Sequence, residues 1–271
     1  MAIRELQIRP NPQLLEILHA WSGGAIRAEQ TTKHRLDVIL DRPEMNNCLS
    51  GQMMLDLAEN AKKFDDAENA LIVIQGAAKS FCSGADLGLI KDISDRKLGV
   101  AMFEYMSSIL KSIRRSPAIA VAKIHGHCLG GASELCSSAD IRIAHRDAKI
   151  AFFQSKMGIV PSWGGAEYLE DIMGRGKALK SMTTARVMTA RDARKLGWID
   201  YVYEDEDEAQ KFLSLLLSSG PEVTRAQKAM LNAVKVGVDA EKEVLESVWS
   251  GETHRMALEK QLNAVVKKKT K

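Results

Sequence analysis

Aromatic side chains, paired cysteines and long apolar runs are all scarce in this chain, and each scarcity removes a class of function. Aromatics make up 5% of the 271 residues, too few for a platform on which nucleic-acid bases stack. The formal net charge is only +3, so nucleic acid is not an expected partner. The four cysteines, Cys48, Cys82, Cys128 and Cys136, form no Cys-x-x-Cys pair and sit among apolar or small neighbours. They read as reduced structural thiols rather than a disulfide framework or zinc site, and no metal is expected. No stretch approaches the ~20 apolar residues that cross a bilayer. Met1–Gln7 lacks the continuous apolar core of a secretory signal, and Glu5 and Glu16 argue against a mitochondrial presequence. The expectation is a cytosolic protein without a membrane partner, with Lys267–Lys271 as a solvated end.

What is present suffices for a full core: 45% of residues are hydrophobic and 27% charged. Arg35–Leu40 reads as a strand ended by Asp41-Arg42-Pro43. Met53, Met54, Leu57, Ala58, Ala61 and Phe64 recur at helical spacing. Leu71–Ile74 is a wholly apolar strand suited to a sheet covered on both faces. A helix around Val100–Arg115 and a strand at Ala118–Ile124 follow, and this alternation indicates an α/β domain. Further strands are expected at Ile141–Ala144, Ile150–Phe153 and Trp198–Tyr203, the last after a helix that Thr189 can cap. From Asp205 only helical periodicity remains, over Glu208–Leu217, Glu222–Val236, Lys242–Trp249 and His254–Val266. The expected organisation is an α/β core at 23–204, a C-terminal helical region at 205–271 and an N-terminal extension at 1–22. The apolar faces of the C-terminal helices require a partner, either the core or a neighbouring subunit.

Two glycine turns carry the chemistry. Ile119–Leu129 runs as an apolar strand into Gly130-Gly131-Ala132-Ser133-Glu134, where a helix begins with one carboxylate in its first turn. The opening amides of a helix have no intrahelical partner, so this is either a tight structural turn or a site for a developing oxyanion. A second turn, Ser83-Gly84-Ala85-Asp86, follows the strand at Leu71–Ile74 and again leaves amides free.

Together these segments resemble the crotonase, or enoyl-CoA hydratase/isomerase, superfamily. The resemblance extends over Asp41–Ser50, Asp140–Ala144, Met157–Gly165 and Thr189–Asp200, and so from about Gly23 to Trp249. It implies an α/β fold, a spiral of ββα units with a C-terminal helical oligomerisation region, assembled as a homotrimer or hexamer. It implies an acyl-CoA substrate and no cofactor beyond the CoA moiety of that substrate. By the same resemblance, the amides of Ala85 and Gly131 form the oxyanion hole, and Met45, Cys48, Ala85, Asp86 and Leu87 lie where the family contacts CoA.

Hydratases of the superfamily use two glutamates. Glu134 matches the first, whereas Gln154 falls at the second, and an uncharged amide cannot take a proton from water. Isomerases depend on that same second carboxylate. Decarboxylation needs neither, because loss of carbon dioxide itself supplies the enolate electrons. Within the superfamily the chain looks most similar to members that decarboxylate 2-alkylmalonyl-CoA thioesters such as ethylmalonyl-CoA and methylmalonyl-CoA, on Met45–Leu55, Phe81–Leu87, Lys156–Gly165, Gly220–Arg225 and Val248–Gly251. Such an enzyme clears a side product of acyl-CoA carboxylases. Glu134 would protonate the enolate or, if ionised, repel the substrate carboxylate or orient a water donor, and Gln154 and Trp163 would line the acyl pocket.

Other residues read more plainly. His125 and His127 flank Gly126 and are not expected to act as a metal pair or an acid/base unit. Ser162 lacks a nucleophile elbow. Glu170 and Asp171 are expected to face solvent, and Asp86 to cap a helix. The competing functions are an enoyl-CoA hydratase or isomerase, which needs a second carboxylate in the pocket, and a non-catalytic binding member of the superfamily.

Overall fold

The computed structural model describes residues 11–66 and 68–269. Met1–Gln7, Thr270 and Lys271 lie outside that range. Among the described residues the strands are β1 (Ala25–Thr32), β2 (Arg35–Asp41), β3 (Leu71–Gly76), β4 (Ile119–Ile124), β5 (His127–Leu129), β6 (Ile141–His145), β7 (Lys149–Ala151), β8 (Met188–Thr189) and β9 (Tyr201–Tyr203). The main sheet has the order β1-β2-β3-β4-β6-β9, and a small sheet has the order β5-β7-β8. All neighbours in the main sheet are parallel except β1 and β2. After β4 and again after β6 the chain steps directly into the small sheet, which produces a spiral of ββα units.

The apolar runs of β3 and β4 lack alternation because both faces of the sheet are covered. Ile72, Ile74, Ala120, Ala122 and Ile124 face the larger core, whereas Leu71, Val73 and Val121 face a second, smaller one. Against the large core pack α1 (Pro12–Ala20), α2 (Gly51–Ala61), α4 (Arg96–Arg115) and α5 (Gly131–Ser138); the short α3 (Leu87–Asp92) lies between α2 and α4 in the chain. Leu14 and Leu18 of α1 are fully buried, so this part of the segment set apart as an extension is integral to the core.

Next come α6 (Gly165–Met173), α7 (Arg175–Thr184), α8 (Ala190–Leu196) and α9 (Glu206–Leu216). Thr189 and Asp192 form a reciprocal capping box at α8. Two expected strands are shorter than their apolar runs. The strand at Ile150–Phe153 ends at Ala151, because Phe153–Met157 winds into a 3-10 turn. Trp198 and Ile199 lie in the turn that follows α8, where their amides donate to Ala193 O at 2.9 and 3.3 Å, and the strand begins only at Tyr201.

The second face of the sheet carries a closed circuit of side chains. Arg35 donates to Asp37 at 2.6 and 2.7 Å and to Gln210 at 2.6 Å; Gln75 donates to Asp37 at 3.0 Å. Lys123 donates to Gln75 at 3.1 Å and to Glu206 at 2.5 Å, and Gln210 donates to Glu206 at 2.6 Å. The circuit fixes α9 across β2, β3 and β4. Beyond it lie α10 (Pro221–Val234), α11 (Val238–Val248) and α12 (Glu252–Lys269). Lys228 anchors α10 by donating to Ala118 O at 2.8 Å, with its ammonium 2.7 Å from Asp140. α11 buries no side chain. Trp249, Met256, Leu258 and Leu262 are all more than half exposed. No helix among the described residues is long and apolar enough to cross a membrane.

Candidate active site

The two glycine turns meet because their strands are stitched together. Cys82 N donates to His127 O at 2.9 Å and Leu129 N to Cys82 O at 3.1 Å, forming a parallel bridge between Cys82 and Cys128. Gly84 then passes so close to the second turn that a Cβ on it would lie 3.0 Å from Leu129 O and 3.5 Å from Gly131 N. Its φ of +102° also favours glycine. On either side of Ala85, Leu49 N donates to Gly84 O and Asp86 N to Leu49 O. Among the described residues, neither Ala85 N nor Gly131 N donates to a cap, turn or side-chain acceptor. Two amides without partners therefore lie on adjoining turns, and donors left free in this way are what an oxyanion site requires.

Glu134 follows Gly131 by three positions and so shares its helix face. It is fully buried. Oε1 accepts from Gln154 Nε2 at 2.7 Å and from Ser162 N at 3.1 Å; Oε2 accepts from Trp163 N and Gly165 N, both at 2.9 Å. Burial pushes the Glu134 carboxyl above the usual carboxylate range, against these four hydrogen bonds, which favour the anion. The close approach depends on Gly165, where a Cβ would lie 2.5 Å from Glu134 Cγ. The structure thus brings together Glu134, Gln154 and Trp163. Trp163 is 2% exposed, and its indole covers Gly131 so tightly that a Cβ there would be 2.5–2.7 Å from the ring.

The residues matched to CoA contacts come from two neighbouring loops, joined by a bridge between Leu49 and Ala85. Met45 and Leu87 are exposed, whereas Cys48 and Asp86 are buried. Asp86 caps α3 by accepting from Gly88 N at 2.9 Å. Burial alone would raise its carboxyl, but the Arg42 guanidinium at 2.7 Å and the Gly88 amide outweigh it and hold Asp86 below the usual range. Burial pushes the Cys48 thiol up, with the adjacent Arg42 acting the other way.

Arg42 and Asn47 are the residues that sequence reasoning missed. Fully buried Asn47, at a φ of +55°, accepts from Arg42 N at 2.9 Å and donates to Ala77 O at 2.8 Å and Ser80 O at 2.6 Å. It ties the loop after β2 to the loop after β3 and so supports Ala85. The only signal was the Asn46-Asn47 pair, a residue type that tolerates positive φ. The remaining candidates stay outside the site. His125 bonds Ala78 O at 3.0 Å, His127 pairs with Ser80 Oγ at 3.3 Å, and Glu170 and Asp171 are exposed. Ser162 contributes its amide rather than its hydroxyl.

Two glycine turns beside a buried carboxylate, on a spiral of ββα units, are the arrangement on which the resemblance rested, and the comparisons give the family. The model of the enoyl-CoA hydratase/isomerase family matches residues 33–264, and the chain belongs to that family. Among its relatives is the ethylmalonyl-CoA decarboxylase of Mus musculus, 32% identical over 260 residues, which cover 92% of this chain and 81% of the relative. A crystal structure of enoyl-CoA hydratase from Thermoplasma volcanium superposes with a TM-score of 0.79 at 29% identity, over 87% of this chain and 96% of that one. A putative enoyl-CoA hydratase from Thermobifida fusca, solved with acetoacetyl-CoA, shares the fold at a TM-score of 0.71 and 21% identity, over 93% and 99% of the two chains.

Proposed function

We propose that this chain decarboxylates 2-alkylmalonyl-CoA thioesters, ethylmalonyl-CoA and methylmalonyl-CoA among them. The observation that carries the reading is the pairing of a lone buried carboxylate, Glu134, with an amide, Gln154, where a water-splitting site needs a second carboxylate. Similarity to relatives named ethylmalonyl-CoA decarboxylase supports it, and the acetoacetyl-CoA bound to the Thermobifida neighbour supports an acyl-CoA ligand.

In this reading the thioester oxygen accepts from Ala85 N and Gly131 N, while Met45, Cys48, Asp86 and Leu87 flank the CoA chain. The bond between C2 and the carboxylate breaks, carbon dioxide leaves, and the electron pair enters the thioester enolate. Two fixed amides stabilise that enolate more than the neutral carbonyl, and loss of one such donor costs about 2.7–4 kcal/mol in comparable enzymes. Apolar Trp163 disfavours the charged carboxylate and favours its departure. Glu134 then delivers its proton to C2, an acid role that its burial supports.

The test is to incubate the purified protein with methylmalonyl-, ethylmalonyl- and crotonyl-CoA and weigh the products. Loss of the mass of one carbon dioxide is expected from the first two and no change from the third. Water addition to crotonyl-CoA, or three unchanged substrates, rejects the reading.

A further inference from the structure

Three of the four groups that hold the Glu134 carboxylate are main-chain amides, of Ser162, Trp163 and Gly165, and an amide N–H can only donate. The fourth is the Gln154 carboxamide, which has both a donor and an acceptor end. Its Nε2 faces Glu134, whereas its Oε1 is buried and has no hydrogen-bond partner among the described residues. Gln154 as a whole is 6% exposed, so bulk water does not satisfy that oxygen. Among the described residues no charged side chain lies within hydrogen-bond or ion-pair distance of Glu134, either from its own α5, from the 3-10 turn carrying Gln154, or from the 162–165 segment that opens α6.

This arrangement suits the anion and leaves the acid short of one acceptor. A protonated Glu134 needs an oxygen to receive its hydroxyl, and the amides cannot supply one. Gln154 can, by a half-turn about its terminal torsion, which is broad and two-fold. The same half-turn gives Oε1 a partner and moves the unpaired end of the carboxamide to Nε2. We propose that Gln154 is a positioning residue whose carboxamide reverses with the protonation of Glu134, donating through Nε2 to the anion and accepting through Oε1 from the acid. In the acid state the Glu134 hydroxyl donates to Gln154 Oε1 until an enolate forms.

The coupling rests on the proposed role of Glu134 as proton donor, and its bookkeeping closes. The Glu134 O–H bond breaks as the C2–H bond forms, the enolate electrons become that bond, and Glu134 is left as the anion. Gln154 then turns Nε2 toward it. One proton from solvent restores the acid before the next turnover, so each cycle consumes one proton and releases one carbon dioxide.

Neutron diffraction on the full-length, deuterium-exchanged protein tests this directly. Data are taken at two pH values on either side of the Glu134 titration, located by infrared difference against the Glu134→Gln variant. The expected result is a Gln154 ND2 group facing Glu134 at the higher pH, and the Gln154 oxygen facing a deuterated Glu134 at the lower. The same carboxamide orientation at both overturns the proposal. In kinetics, Gln154→Leu removes the acceptor, and kcat should fall about tenfold or more with KM within about twofold of wild type; an unchanged kcat contradicts the role. A carboxamide that reverses in a protein without decarboxylase activity rejects the proposed function and leaves the coupling standing. Turnover with a fixed carboxamide rejects the coupling alone.

Discussion

Glu134 carries the proposed proton transfer, and its surroundings make its replacement severe. A glutamine at this position turns one donor end toward main-chain donors and has no proton to give. Glu134→Gln should lower decarboxylation at least a hundredfold, read as kcat against ethylmalonyl-CoA; undiminished turnover removes its assigned role. The pH dependence has a definite sign. The folded-state carboxyl is raised by burial, so the acid form persists above the ordinary carboxylate range and is lost as pH rises through the folded value. Turnover should therefore decline on the alkaline side of that titration. For Asp86 the sign is opposite: its lowered carboxyl contributes stability that is present above the unfolded value and lost as pH falls through the folded one. Trp163 is expected to limit the 2-alkyl substituent. Trp163→Leu should shift kcat/KM toward a butyl over an ethyl substituent by at least about tenfold, and an unchanged ratio would remove the indole from the acyl pocket. The Glu134 helix start was legible from its glycines and spacing, and Gln154 from its distance to Gly158. The amide donors at 162, 163 and 165 were not, because main-chain groups carry no residue signature; only Gly164-Gly165 hinted at a close approach.

At the scale of elements, the sheet strands and capped helices follow from apolar period and cap chemistry, which act locally and so can be read from a short window. The ends of β7 and β9 could not be read this way. Apolar Phe152 and Trp198 are buried in the same core as the strands, but just before a 3-10 turn and in the turn that follows α8. The circuit from Arg35 through Asp37, Gln75, Lys123 and Glu206 to Gln210 was equally invisible. Its members span sequence separations of up to 175 residues. Arg35 and Asp37 are both buried, so Asp37→Ala leaves a guanidinium without its carboxylate. It should cost about 3–5 kcal/mol, measured as a shift of the urea midpoint. A loss below about 1 kcal/mol would mean that Gln210 or water satisfies Arg35. Product formation per folded molecule should not change, because the circuit lies on the face of the sheet away from Glu134.

For the whole molecule, α9 and α10 pack on the α/β core whereas α11 and α12 are not covered. Leu258 and Leu262 lie one helical turn apart on α12 and both are more than half exposed, as is Trp249. We propose that a homotrimer or hexamer covers them. Sedimentation should give three or six times 29.9 kDa, and Leu262→Glu should lower that mass; a wild-type monomer would refute the assembly. The central claim is that the two glycine turns and one carboxylate turn a malonyl-type thioester into an enolate by loss of carbon dioxide. The most direct measurement uses ethylmalonyl-CoA carrying carbon-13 in its free carboxyl, with the reaction run in heavy water. The account predicts one labelled carbon dioxide released for each butyryl-CoA formed, with one deuterium at C2 of the product. Label retained in the thioester, or deuterium exchanged into C2 without loss of label, would contradict it.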